Sequence, residues 1–270
     1  MRPIGNTDMQ AGADNEMATY SEYVIAQSLE EAYALNQKRS SVIVAGNMWL
    51  RQCGRVCRTA VDLSALGLCG IEEQAEAFIV GAMTPLRAME THKGLNDAFT
   101  GAFKSAFAPI VGTQFRQTAT VGGSVYARFG FSDVSALLLA LDARVLCYHR
   151  GEVPLARYQQ EAWDRDIVTH IRIPKGRTAA CESVRLSATD FPVLVCAASA
   201  GADGLRIVLG ARPGRAVLVA EGLRKDDADW ERLADGVTLG TNARASQAYR
   251  RKIAPVLMER AARACWGKEG

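Results

Sequence analysis

Two glycine-bearing segments hold the residues best suited to chemistry. "VIVAGNMWL" (42–50) and "TATVGGSV" (118–125) each place glycine after a β-rich run. Glycines lack Cβ atoms, so the backbone N–H groups around them can converge on one point and make a concave site for phosphate oxygens. A diphosphate spread across two such turns needs no lysine to hold it. Thr118, Thr120, Ser124 and Asn47 can add side-chain hydrogen bonds, and Asp133, in the following "SD", can accept from a sugar or ribityl hydroxyl. Taken alone, Gly122-Gly123 reads first as a tight β-turn or a bulge.

Other chemistry has little support. There is no GxGxxG fingerprint, P-loop, GxSxG elbow or HExxH pair. Cys53 and Cys57 form a lone C-x3-C, and His92, His149 and His170 share no ligand spacing, so no metal site is expected. Seven scattered cysteines in a chain with a polar, non-signal N-terminus suit reduced thiols and a cytoplasmic location. A net charge of +3 spread over 270 residues argues against nucleic acid. The longest apolar runs, such as "ALLLAL" (136–141), are too short to cross a membrane.

The elements that must position these residues follow from capping and periodicity. Residues 1–16 read as a flexible extension, with the fold starting near Met17. Ser28 with Glu31 predicts a helix over 28–38, and "SSVIVAG" a buried strand. Strands are expected at 60–66 and 77–83. Thr84-Pro85 predicts a helix over 85–92, and Phe99, Phe103 and Phe107 one continuous helix over 95–110, packed in a core. Ser132 or Asp133 caps an apolar helix. Two short strands flank Arg150-Gly151, "DIVTHIRIP" (166–174) reads as a strand that Pro174 ends, and 191–211 is a hairpin with "GADG" at its tip. Helices close the chain near 226–235 and 246–265, the second with a kink at Pro255.

The order of these segments resembles the flavin-binding medium subunit of the molybdenum hydroxylases, the group of xanthine dehydrogenase and the aerobic carbon monoxide dehydrogenases. "AGNMWL", "FRQTATVGGSV" and "SDVSALLLALDA" are similar to its A-G-G-T-x-L, R-N-x-A-T-I-G-G-N and S-D-x-x-P-x-L-L-A-L-D-A segments. "DIVTHIRIP", "SATDFPVLVCAAS", "LRIVLGARPGRAVLV" and "RASQAYRRKIAPVLMERAA" extend the likeness over roughly 17–265. The resemblance implies an α+β fold: a two-lobed FAD-binding domain with a mostly antiparallel central sheet (17–175, lobes split near 68), then a small C-terminal sheet-plus-helices domain (176–270).

It also implies FAD. Ala45, Gly46, Asn47, Met48, Trp49 and Leu50 would wrap the diphosphate from one side, and Thr118, Thr120, Gly122, Gly123 and Ser124 from the other. Asp133 would lie beside the ribityl or ribose chain, Ile110 and Val168 near the flavin ring, and Arg185 is the nearest cation to a family lysine that has no clear match. The implied partners are a molybdopterin-binding large subunit and a [2Fe–2S] small subunit, with NAD+ or another electron acceptor and no catalytic acid or base in this chain. Asn47-Met48 departs from the family's Gly-Thr. That departure, with the unmatched lysine, keeps open a flavin-less scaffold subunit; a stand-alone flavin oxidase with a similar diphosphate cradle is the second alternative.

Overall fold

A computed structural model describes residues 17–267; the expected N-terminal extension lies outside them. The first lobe contains β1 (Thr19–Ile25), α1 (Leu29–Asn36), β2 (Ser41–Val44) and β3 (Val56–Asp62), its three strands parallel in the order β1-β3-β2. Ser28 caps α1 by accepting the Glu31 N–H, as its spacing predicts. A small core of Ala26, Ala32, Val61, Leu63 and Leu68 lies in this lobe, joined by Ile167 from further along the chain.

The central lobe follows the chain through β4 (Ile71–Glu73), β5 (Ala77–Gly81), helices α2 (Leu86–Thr91), α3 (Lys93–Ala98), α4 (Ala102–Phe107), α5 (Thr113–Thr118), α6 (Val121–Ala127) and α7 (Asp133–Ala140), then β6 (Arg144–Cys147), β7 (Gly151–Pro154), α8 (Leu155–Gln160) and β8 (Val168–Pro174). Its five strands are antiparallel in the order β4-β5-β8-β6-β7. The C-terminal part adds β9 (Thr178–Arg185), β10 (Pro192–Gly201), β11 (Gly204–Gly210) and β12 (Val217–Leu223) as an antiparallel sheet in the order β12-β11-β10-β9, with α9 (Trp230–Asp235) and α10 (Gln247–Trp266).

Because side chains alternate along a strand, β10 feeds two cores. Val195 and Ala197 pack with α7 in the central core, while Leu194, Cys196 and Ala198 pack with α10. This explains why "PVLVCAAS" is apolar without alternation: both faces are buried. A ladder of cations and rings also crosses the molecule. Arg150 and Arg128 lie 5.4 and 4.2 Å from the Tyr158 ring, and Arg128 and Arg215 lie 5.1 and 4.8 Å from Trp163.

Four local expectations need correction. The strand expected over 60–66 ends at Asp62 and gives way to a 3-10 turn at Ser64–Leu66. The helix expected over 95–110 is broken at Thr100-Gly101, both in the left-handed region, although Phe99, Phe103 and Phe107 are all fully buried. Thr84 does not cap α2; its hydroxyl bridges the Gly70 N–H and carbonyl, and Pro85 takes the cap position. Finally, "TATVGGSV" is not a strand and turn: Thr120 caps α6, and the glycine pair lies in that helix's first turn.

Candidate functional site

The loop after β2 is built to expose backbone donors. Asn47 turns the chain through a left-handed conformation (φ +51°), which asparagine tolerates better than most residues, and its side-chain oxygen accepts from the Tyr20 hydroxyl at 3.2 Å. Leu50 starts a 3-10 turn, and the Cys53 thiol donates to the Trp49 carbonyl at 3.3 Å. Between these anchors, the N–H groups of Gly46, Asn47, Met48 and Trp49 have no acceptor among the described residues. Successive unpaired amides in such a turn form an anion-binding concavity.

Gly46 is pressed against the second segment. A Cβ there would overlap the Thr118 carbonyl oxygen and lie 2.6 Å from its carbon. Glycine is thus required because protein backbone comes close, and that contact brings the two sequence segments together. On the far side the amides are already used: Val121 N–H donates to Thr84 O, Gly122 N–H to Ala82 O, and Gly123 N–H to Thr120 Oγ1. Convergence of both glycine amides on a ligand, expected from the sequence, is therefore not realised, because the segment is helical and docked on the chain at 82–84. Gly122 is buried, and a methyl on it would lie 2.6 Å from Ala82 Cβ, whereas Gly123 is exposed. Thr118 and Ser124 donate their hydroxyls to Gln114 O and Thr120 O and retain accepting lone pairs.

Beyond this crevice, Trp49, Ile110, Ser124, Asp133 and Arg185 line one cavity of about 40 Å³. Asp133 opens α7, whose cap is Ser132 Oγ accepting the Ser135 N–H. Arg185, at the end of β9, reaches Asp133 Oδ1 at 2.6 Å and also donates to Asp190 O. Burial pushes the Asp133 carboxyl up to about 6, against the opposing pull of the Arg185 charge and hydrogen bond. Ala45 lies in the turn itself, and Met48 packs on the central core. Val168 is not brought to the cavity: it pairs with Cys147 in the central sheet and is buried there.

Sequence reasoning missed the rings. Phe115, Phe129, Phe131 and Phe191 surround the Trp49 indole with centroids 5.4, 5.9, 5.7 and 5.4 Å away. Their signal was their adjacency to the motifs: "RFGFSD" runs into Asp133, and "DFP" contains Phe191.

The pairing of Asp133 with Arg185 makes a pH-dependent prediction. The folded carboxyl lies above its unfolded value, so the folded state holds the extra proton between about pH 4 and 6 and this group's contribution to stability falls as pH rises through that window. Arg185→Met removes the compensating cation. It is expected to cost about 3 kcal/mol at pH 8, where the bare carboxylate is buried, and much less at pH 5, where the carboxyl is protonated. Urea unfolding at the two pH values checks this; an equal deficit at both would show that the ion pair does not set it.

A sequence profile described as the FAD binding domain in molybdopterin dehydrogenase matches residues 15–176, well over half of the chain. The chain belongs to this family of FAD-binding domains. Among individual relatives, YgfM of Escherichia coli K12 is 25% identical over 205 residues, covering 74% of this chain and 78% of YgfM. Carbon monoxide dehydrogenase from Hydrogenophaga pseudoflava superposes with a TM-score of 0.80 at 20% identity, covering 92% of this chain and 98% of that one. Reconstituted CO dehydrogenase from Oligotropha carboxidovorans gives 0.79 at 22%, covering 92% and 97%. Quinoline 2-oxidoreductase from Pseudomonas putida 86 gives 0.78 at 18%, covering 91% and 96%. These superpositions share the fold: two antiparallel sheets, a parallel N-terminal lobe and the helices around them.

The cofactor of this FAD-binding domain can be tested against its residues. The diphosphate end fits, because four consecutive amides at 46–49 lack acceptors among the described residues and lie beside the α5–α6 junction. The ring end does not fit as it stands. Pockets for ligands of that size run to about 300–1,000 Å³, whereas the cavity lined by Trp49 and its four phenylalanine neighbours holds about 40 Å³.

Proposed function

We propose that this FAD-binding domain is the flavin subunit of a molybdenum hydroxylase-type complex. Electrons would reach it from [2Fe–2S] clusters on a small partner subunit and leave to NAD+ or another acceptor, while a molybdopterin-binding large subunit oxidises the substrate. FAD supplies the redox chemistry when bound; the chain's own contribution is to hold and orient it. The observation that carries this reading is the run of amides from Gly46 to Trp49 with no acceptor among the described residues, packed against the second family segment through Gly46 and Thr118.

Within that role the residues divide the work. Tyr20 and Cys53 hold the loop shape through Asn47 and Trp49, and the amides bind phosphate oxygens. Exposed Gly123 leaves room on the opposite wall, while Ser124 and Thr118 offer oxygen lone pairs to ligand hydroxyls. Asp133 has one oxygen committed to Arg185, so its other oxygen is the one to accept from a ligand hydroxyl. The matched structures act on carbon monoxide and quinoline by their names; the substrate of a complex containing this chain is set on another polypeptide.

Affinity capture of the full chain from its native host tests the proposal. The expected result is co-purification of a molybdopterin subunit and an iron–sulfur subunit, with about one FAD released per chain on denaturation. A chain that emerges alone, or one that oxidises an organic substrate without partners, would sink it.

A further inference from the structure

A larger cavity lies in the C-terminal part, between β12 and α9. It holds about 500 Å³, against about 40 Å³ for the one at Trp49, and so falls within the range of ligand sites. β12 is the edge strand of its sheet, paired with β11 alone. Val217, Leu218 and Val219 are consecutive, and all three line the cavity. Side chains alternate between faces along a strand: Leu218 packs on the central core, while Val217 and Val219 pack with the core under α10. A cavity that meets both faces at once runs along the strand's open edge, where a row of backbone N–H and C=O groups faces outward. The ladder to β11 slips at Val219, between the Val208–Leu218 and Ile207–Ala220 pairs, which confines the regular edge to the Val217 end. Leu233 and Val237 make the opposite wall apolar.

The two ends of this groove carry opposite charge. Asp229 caps α9, and the helix returns the chain to the start of β12. There Arg212 donates to Thr238 O at 2.7 Å and the Gly240 N–H donates to Arg212 O at 3.1 Å, bonds that draw the 238–240 segment across the Arg212 end. Asp227 and Asp229 line the groove from the other end. Neither carboxylate, nor Arg212, has an oppositely charged partner among the described residues. Arg212 is half-buried and its other anchor is also a carbonyl, Arg215 O at 2.9 Å, so burial disfavours a charge that no carboxylate offsets. A second cation, Arg232, lines the groove from α9 and is exposed to solvent. The six residues of α9 span about 9 Å, the reach of about three extended residues.

We propose that this groove seats the C-terminal tail of a partner polypeptide, laid antiparallel to β12. The terminal carboxylate meets the Arg212 guanidinium, apolar residues follow Val217 and Leu218, and a basic side chain about three residues upstream faces Asp227 and Asp229. A chain antiparallel to β12 runs toward Arg212, where the 238–240 segment stops it, so a chain end fits and a through-running strand does not. A tail with an acidic residue upstream is repelled at the Asp227 end. The groove stands apart from the diphosphate crevice, and its failure as a docking site would leave the FAD reading untouched.

The test uses the full chain and a fluorescein-labelled peptide, Gly-Ser-Lys-Val-Thr-Val, in a fluorescence anisotropy titration. The free-acid peptide is expected to bind on the order of tenfold tighter than its C-terminal amide. Asp227 is exposed, so Asp227→Lys is expected to fold as the wild type does, to bind this peptide several-fold more weakly and to prefer one with Glu in place of Lys. In the 15N-labelled chain, the peptide is expected to shift the amide resonances of Val217, Leu218 and Val219. Equal binding of acid and amide, shifts confined to other residues, or no binding of the free acid would each overturn the proposal. Free valine competing as well as the peptide would also overturn it, because the cavity would then be a site for a small zwitterion. The comparison of acid with amide uses the wild-type chain and decides the matter even if Asp227→Lys does not fold.

Discussion

A Gly46→Ala variant is expected to lose about 3 kcal/mol of stability, roughly 6–12 °C in Tm for a chain of this size. The new methyl would overlap the Thr118 carbonyl oxygen and lie 3.0 Å from Ala119 Cα, so the clash is with backbone, which cannot rotate away. Relief requires the loop to lift from the α5–α6 junction, which separates the amides at 46–49 from the opposite wall. FAD retention should therefore fall with stability. Gly122→Ala should behave similarly, since its methyl would meet Ala82 Cβ at 2.6 Å and Ala82 O at 2.7 Å. Gly123→Ala is the control. Its methyl meets only Thr120 Oγ1 at 3.1 Å, and alanine is the better helix former by about 1 kcal/mol, so the fold should be unchanged or slightly firmer. Thermal melts with and without FAD separate the cases. Equal melting temperatures for Gly46→Ala and Gly123→Ala would refute the close-approach argument.

Arg250 gives the second large effect. It is fully buried in α10 and faces no carboxylate among its partners; its guanidinium donates to Val193 O at 2.8 Å and to Gly240 O, Ala245 O and Asn242 Oδ1 at 2.7 Å each. Arg250→Met removes all four bonds and leaves the buried Val193 carbonyl and three less buried acceptors without this donor, at an expected cost of about 3–5 kcal/mol. Lysine cannot restore it, because one ammonium cannot span acceptors set around a planar fork. Arg250→Lys should recover less than half of the loss in urea unfolding, and full recovery would contradict the geometry. The effect reaches the ring cavity as well. Val193 is two residues from Phe191, so loosening Arg250 frees the segment that holds Phe191 and the Asp190 carbonyl bound by Arg185.

How far the molecule could be read from its sequence differs from element to element, for physical reasons. Ser28, Ser132 and Ser246 announce helices because a cap acts within three residues. The 192–210 hairpin is legible because its turn and its apolar runs are adjacent. Helix α6 is not: β-branched residues and two glycines oppose a helix locally, and the segment is helical because Val121 and Gly122 donate to Thr84 and Ala82, far away in sequence. Likewise, Gly46 and Asp133 could be picked out by motif, and Arg185 only as the cation nearest an unmatched family lysine. The rings at 49, 115, 129, 131 and 191 share no periodicity and meet only once three lobes have assembled.

Strand β10 makes the stability of the C-terminal sheet and of the central helices a single quantity. Val195 and Ala197 belong to one core while Leu194 and Cys196 belong to the other, so neither core can be opened to solvent without stripping a face from the same strand. The covalent crossing near Pro174 is therefore not a mechanical hinge. Separation there would cost the burial of both faces at once, and the chain is built to unfold as one cooperative unit across the seam where its sequence changes character.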